Sequence, residues 1–177
     1  MTSAATAASI SAISSARTDM QTHSVPMSAL SPLIGEILSF GGDVVLTVTG
    51  HSMEPMLHDR VSRVRLTAPR TLKRGDLPLY RRADGTYVLH RITAVDADSV
   101  TCCGDAQWIL ERGIPRASIL AVTEAFDRHN GRWVSADSAL YGAYWRVWLA
   151  LRPLRHLAVG GMRRIKRLLS GAKGARP

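Results

Sequence analysis

The sequence predicts a mainly β domain, opened by a short helix and closed by amphipathic basic helices, and three observations carry that prediction. Strand-like runs recur at 43–49, 60–66, 76–82, 86–95, 98–103 and 117–123, separated by turn signals such as "RGD" at 74–76 and "ADGT" at 83–86. One helical piece, "SPLIGEILSF" at 31–40, precedes them and stops at Gly41 and Gly42. Beyond residue 138, apolar and aromatic side chains return at helical spacing among basic ones.

Taken in order, residues 1–30 are rich in Ser, Ala and Thr and hold one arginine but no sustained apolar run. They read as a disordered leader rather than a secretory segment or a membrane span, with Met20 and Met27 as alternative starts. Residues 31–126 form the β body. In "TYVLHRITAV", Val88, His90, Ile92 and Ala94 share one strand face, and Tyr87, Leu89, Arg91 and Thr93 the other. His90 therefore falls on the more apolar face and Arg91 points the opposite way. Pro78 cannot donate to a ladder, which predicts an edge strand there. Residues 127–177 read as a linker and a helical tail. Leu140, Tyr144, Val147, Trp148 and Leu151 follow one helical face up to Pro153, after which leucines and isoleucine resume opposite Arg155, Arg163, Lys166 and Arg167.

At 177 residues the chain fits one domain plus tails. Its net charge of +9 is confined to one end: residues 1–137 carry 14 acidic and 14 basic side chains, and 138–177 carry nine Lys or Arg with no carboxylate. Charge so concentrated implies a local partner surface. Trp and Tyr beside an apolar stripe, with cations opposite, fit a helix lying in an anionic membrane interface. Packing of the stripe on the β body is the competing reading. No nucleic-acid reader motif accompanies the charge. No stretch approaches the ~18 apolar residues of a membrane span, and the missing secretory signal implies the cytoplasmic face, so a cytoplasmic protein, peripheral on the inner membrane face, is expected. Cys102 and Cys103 are adjacent, a spacing that suits neither a framework disulfide nor a zinc site, and read as reduced structural thiols. No metal or cofactor motif appears.

"GHSMEPML" at 50–57 places a serine behind a glycine turn directly after an apolar run, with Pro55 limiting the exit. That is how a turn is built, and it is also how a nucleophile is held rigid and exposed. An unaided serine needs a base. His90 is the best candidate, although a lone strand histidine is ordinarily a packed core residue. His51, His58, His129 and His156 lie in turns or polar segments that hold them less firmly. An acid to orient the base is offered by Asp105 in "CGDAQ", with Glu111 six residues on as its rival.

Together "GHSMEPML", "LKRGDLPLY", "YVLHRI" and "CGDAQ" resemble, in order and nearly in spacing, the boxes of the signal peptidase I family, over roughly residues 43–123. The histidine at position 90 is similar to the archaeal and endoplasmic-reticulum type, where bacterial housekeeping members have lysine. The resemblance implies a signal-peptidase/LexA-like coiled β-sheet domain. It further implies a serine endopeptidase, with Ser52 as nucleophile, His90 as general base and Asp105 as acid, acting on a leader-like peptide through an acyl-enzyme. Glu111 falls where the second type also has an acidic residue. Gly50 stands where many members have a serine that completes the oxyanion hole, "HDRV" replaces a Gly-Asp, and Ala121 replaces a glycine. A catalytically silent binding or regulatory module of the same fold is the other expectation. A self-cleaving LexA-like repressor would need an upstream DNA-binding domain and an Ala-Gly bond, and no Ala-Gly occurs.

Overall fold

The computed structural model describes residues 7–10 and 25–153. It is mainly β, with a curled antiparallel sheet and two helices. The order is β1 (Ala7–Ile10), β2 (Val25–Pro26), α1 (Met27–Ser39), β3 (Val44–Thr47), β4 (Arg63–Thr67), β5 (Pro78–Arg81) and β6 (Tyr87–Leu89). There follow β7 (Arg91–Val95), β8 (Ser99–Cys103), β9 (Glu111–Pro115), a 3₁₀ turn, β10 (Ile119–Asp127), β11 (Trp133–Ser135) and α2 (Ala139–Ala150). The larger sheet runs β2-β1-β3-β4-β10-β5-β6, with β11 also on β10, and the smaller runs β7-β8-β9.

Helix α1 begins at Met27, earlier than the leader boundary suggests. Met27, Leu30, Ile34 and Leu38 recur every three to four residues and are buried, so this stripe and not the polar 1–30 composition decides where the helix starts. Pro32 lies inside it; the Ser28 carbonyl, which Pro32 cannot serve, accepts from the Ser31 hydroxyl at 3.4 Å. Gly41, at φ 78°, turns the chain out of the helix. Residues 7–10, also expected in a disordered leader, form β1 on the edge of β3.

Three further expectations change. The run 86–95 is not one strand: it breaks at His90, with β6 in the larger sheet and β7 in the smaller. Both His90 and Arg91 are consequently buried, at 1% and 0% exposure, because the chain passes between two layers there. Strand β5 is internal, between β10 and β6, and not at an edge. Pro78 is tolerated as its first residue, since Leu77 carries the ladder: its carbonyl accepts from the Thr123 N–H at 3.0 Å and the Thr123 hydroxyl at 2.9 Å. Residues beyond 126 are not merely linker and tail, because β11 pairs with β10 and α2 buries Tyr141 in the core. The second tail helix expected after Pro153 lies outside the described residues.

The core has two parts. One, under α1, gathers Ile34, Leu38, Leu46, Met53, Leu57, Leu66 and Leu77; the other, between the sheets, gathers Tyr80, Val88, Ile92, Val100, Cys102 and Val122. Ser52 lies over the first and His90 at the seam.

Candidate active site

The turn carrying Ser52 is built locally. Gly50 adopts φ 88°, a conformation that only glycine takes at little cost, and its N–H donates to Asp59 Oδ1 at 2.7 Å. The Arg60 N–H closes the loop on the Val48 carbonyl at 2.8 Å, with Arg60 itself in the left-handed region at φ 55°. Met53 and Leu57 are buried and anchor the turn from below. Asp59, in the "HDRV" that departs from the family pattern, is thus a cap on the serine turn.

The "CGDAQ" segment holds the same turn from the other side. The Ala106 N–H donates to the Ser52 carbonyl at 2.8 Å. A Cβ on Gly104 would lie 2.6 Å from that carbonyl oxygen, so only glycine permits the approach. The Ser52 N–H and hydroxyl make no hydrogen bond among the described residues. Ser52 lines a small, mainly apolar pocket with Leu46, Val48, Thr49, Leu79 and Leu89. The Thr49 hydroxyl oxygen is buried there without a partner.

His90 follows β6 directly. Its Nδ1 lies 3.0 Å from Glu111 Oε1 and 3.3 Å from the Tyr80 hydroxyl. Tyr80 donates to Glu111 Oε2 at 2.9 Å, and Arg82 donates to the same carboxylate through Nε at 2.8 Å and through Nη2. Burial opposes ionisation of Glu111, but hydrogen bonds from His90, Arg82 and Tyr80 outweigh it and hold the carboxyl well below the usual carboxylate range. Burial, chiefly, pushes the Tyr80 hydroxyl far up, so it remains a donor. A histidine that gives its Nδ1 proton to a carboxylate keeps a lone pair on Nε2. No hydrogen bond joins Ser52 to His90 in this structure.

Asp105, expected as the acid on His90, is gripped by Arg91. The guanidinium donates through Nε to Oδ1 at 2.8 Å and through Nη2 to Oδ2 at 2.6 Å, with both residues buried. Arg91 also donates to the Tyr141 hydroxyl at 2.7 Å and contacts Met56 sulfur at 2.9 Å. Of the two rival carboxylates, the structure therefore brings Glu111 to His90 and commits Asp105 to the joint between β7, the serine turn and α2. Tyr141 extends that joint by donating to the Gly75 carbonyl at 2.9 Å, and Trp148 by donating to the Asp105 carbonyl at 3.3 Å. Gly75, in the "RGD" box, sits so close under Trp145 that a Cβ would meet the ring at 2.4 Å.

His51 is exposed and pairs with Glu54 at 2.8 Å, which raises its pKa, and His156 lies outside the described residues. Cys102 and Cys103 are buried thiols outside any disulfide, and burial pushes Cys102 up to about 12. Among the described residues no three His, Cys, Asp or Glu side chains are grouped to hold a metal ion. Sequence reasoning missed Tyr80 and Arg82; their only signal was a spacing of two at the end of the 76–82 run, with Arg82 just past β5, and their shared target, Glu111, sits in a strand that was not foreseen. The chain matches no protein-family model, no curated protein and no solved structure to which it was compared.

Proposed function

We propose that this chain is a serine endopeptidase of the signal-peptidase type, on a signal-peptidase/LexA-like coiled sheet, with Ser52 as nucleophile and His90 as general base. The observation that supports it best is the His90 Nδ1–Glu111 contact, at the end of the strand whose Leu89 lines the same pocket as Ser52. His90 Nε2 would accept the Ser52 proton as Oγ attacks the scissile carbonyl, once the two side chains come within hydrogen-bond reach. The unpartnered Ser52 N–H would stabilise the oxyanion, in a site where Gly50 offers no hydroxyl. The imidazolium, held by Glu111, would return its proton to the leaving amine. Water, deprotonated by His90, would then release the acyl group. Asp105 serves as a positioning residue, since Ala106 beside it holds the Ser52 carbonyl.

The test is covalent labelling of the full chain with a serine-directed phosphonate. Ser52 should be modified in the parent chain, and His90→Ala should lose modification while keeping the same thermal midpoint within a few degrees. The missing Ser52–His90 hydrogen bond favours one second reading, a silent peptide-binding module, which would bind peptide with Ser52 unlabelled.

Partners of the proposed enzyme are a peptide or protein substrate and an anionic membrane surface, on the cytoplasmic side. The α2 stripe is divided: Tyr144 packs on the body and Trp148 donates to the Asp105 carbonyl, whereas Leu140 (81% exposed), Val147 and Leu151 are exposed and would supply the apolar contact with the membrane. Among the described residues no helix is long and apolar enough to cross a membrane. Full-length chain should sediment with anionic vesicles and less with neutral ones, and Leu140→Glu/Leu151→Glu should abolish the difference if α2 takes part.

A further inference from the structure

Strands β3 and β6 each lead into one half of the proposed pair. β3 ends at Thr47, shortly before Ser52, and β6 ends at Leu89, the residue before His90. One edge of β3 is closed by β4, through Leu46 opposite Val64. Beyond Thr47 the chain runs on into the serine turn, and Leu46, Thr47, Val48 and Thr49 line the pocket that Ser52 shares with Val64 and Leu66 of β4. An extended peptide that reaches Ser52 along the other edge of β3 would satisfy its backbone groups by strand addition. In this chain that edge is already taken. β1 pairs antiparallel with β3, Ser9 opposite Thr47 and Ile10 opposite Leu46, so its Ala7 end is the one nearer the Ser52 turn. β1 is held from behind by β2, with Ala8 opposite Val25, and β2 runs straight into α1 of the core.

We propose that the outer edge of β3 is a peptide-acceptor edge and that residues 7–10 occupy it, making the N-terminal segment a tethered competitor of peptide substrate. The consequence for catalysis rests on the serine-peptidase reading; the occupancy does not. A segment carried on the same chain acts at an effective concentration on the order of millimolar, so a free peptide of comparable intrinsic affinity must displace it. The sequence "AASI" carries no charge and adds no specificity through ion pairs, which suits a partner held by main-chain hydrogen bonds.

The experiment uses the full chain with Ser9→Pro/Ile10→Pro. Two adjacent prolines remove ladder donors whichever of the two amides faces β3. Both parent and variant carry Ser52→Ala, so that no turnover intervenes. Amide hydrogen exchange within 44–47 should quicken at least ~10-fold in the variant, and a fluorescent peptide of sequence TAASISAI should bind it roughly 10-fold more tightly than the parent. Unchanged exchange at 44–47 would overturn the occupancy, and faster exchange without tighter peptide binding would overturn the acceptor edge. Phosphonate labelling of the same proline variant with Ser52 restored should be faster than that of the parent. Absence of labelling in both, with the exchange and binding changes present, would remove the peptidase reading and leave the acceptor edge standing.

Discussion

Asp105 and Glu111 are six residues apart, and each carboxylate receives a bidentate arginine, yet their surroundings assign them opposite work. Asp105 meets Arg91 with both partners buried, and every remaining donor of Arg91 is directed at the protein: Tyr141, Met56 and the Gly75 carbonyl. Glu111 shares its charge between Arg82, Tyr80 and His90, remains 22% exposed, and lines an open cleft with Trp108 and Ile109. A carboxylate saturated by an always-charged guanidinium in a dry site is a structural joint. One that also accepts from an imidazole, whose proton can move, can tune chemistry. The identity of the partner, more than burial, separates the two.

The largest effect that would break this comparison is on activity. Glu111→Gln should lower the rate of phosphonate labelling about 10³- to 10⁴-fold, because an amide no longer fixes the His90 tautomer, while Asp105→Asn should act mainly through stability. Measuring labelling rate and urea midpoint for both variants decides it; equal rate losses would merge the two roles. Next in size is the buried joint. Arg91→Leu leaves Asp105 buried without its cation and should cost about 3–5 kcal/mol of unfolding free energy. The double variant Arg91→Leu/Asp105→Leu should recover much of that in equilibrium denaturation, as expected when the penalty is an unpaired charge.

The smallest effect sharpens the electrostatics of Glu111. Its folded carboxyl lies below the ordinary value of about 4.3, so over that range the unfolded chain binds the extra proton. Stability from this group is therefore complete above about pH 4.3 and is lost as pH falls through the folded value. Glu111→Gln should flatten that part of the acid-unfolding curve, and a curve of unchanged slope would show that the hydrogen bonds from His90, Arg82 and Tyr80 do not favour the carboxylate.

The sequence by itself determined what depends on neighbours in the chain. The serine turn needs Gly50 for its positive φ, Asp59 for its cap and Met53 and Leu57 for its anchor, all within ten residues, and such a unit reads directly from local chemistry. The mainly β body, a helix ending at Gly41 and the prominence of His90 were equally accessible, because alternation and breakers are short-range signals. What only the tertiary structure decided are the pairings made across the fold. Whether Asp105 or Glu111 faces His90 depends on β8 and β9 placing Cys102 opposite Glu111, and on Arg91 claiming Asp105 across the layer. The break of one apparent strand at His90, the internal place of Pro78 and the split stripe of α2 have the same origin. Periodicity says which residues share a face, but the face that becomes buried is chosen by whatever packs against it, and those partners lie tens of residues away in sequence.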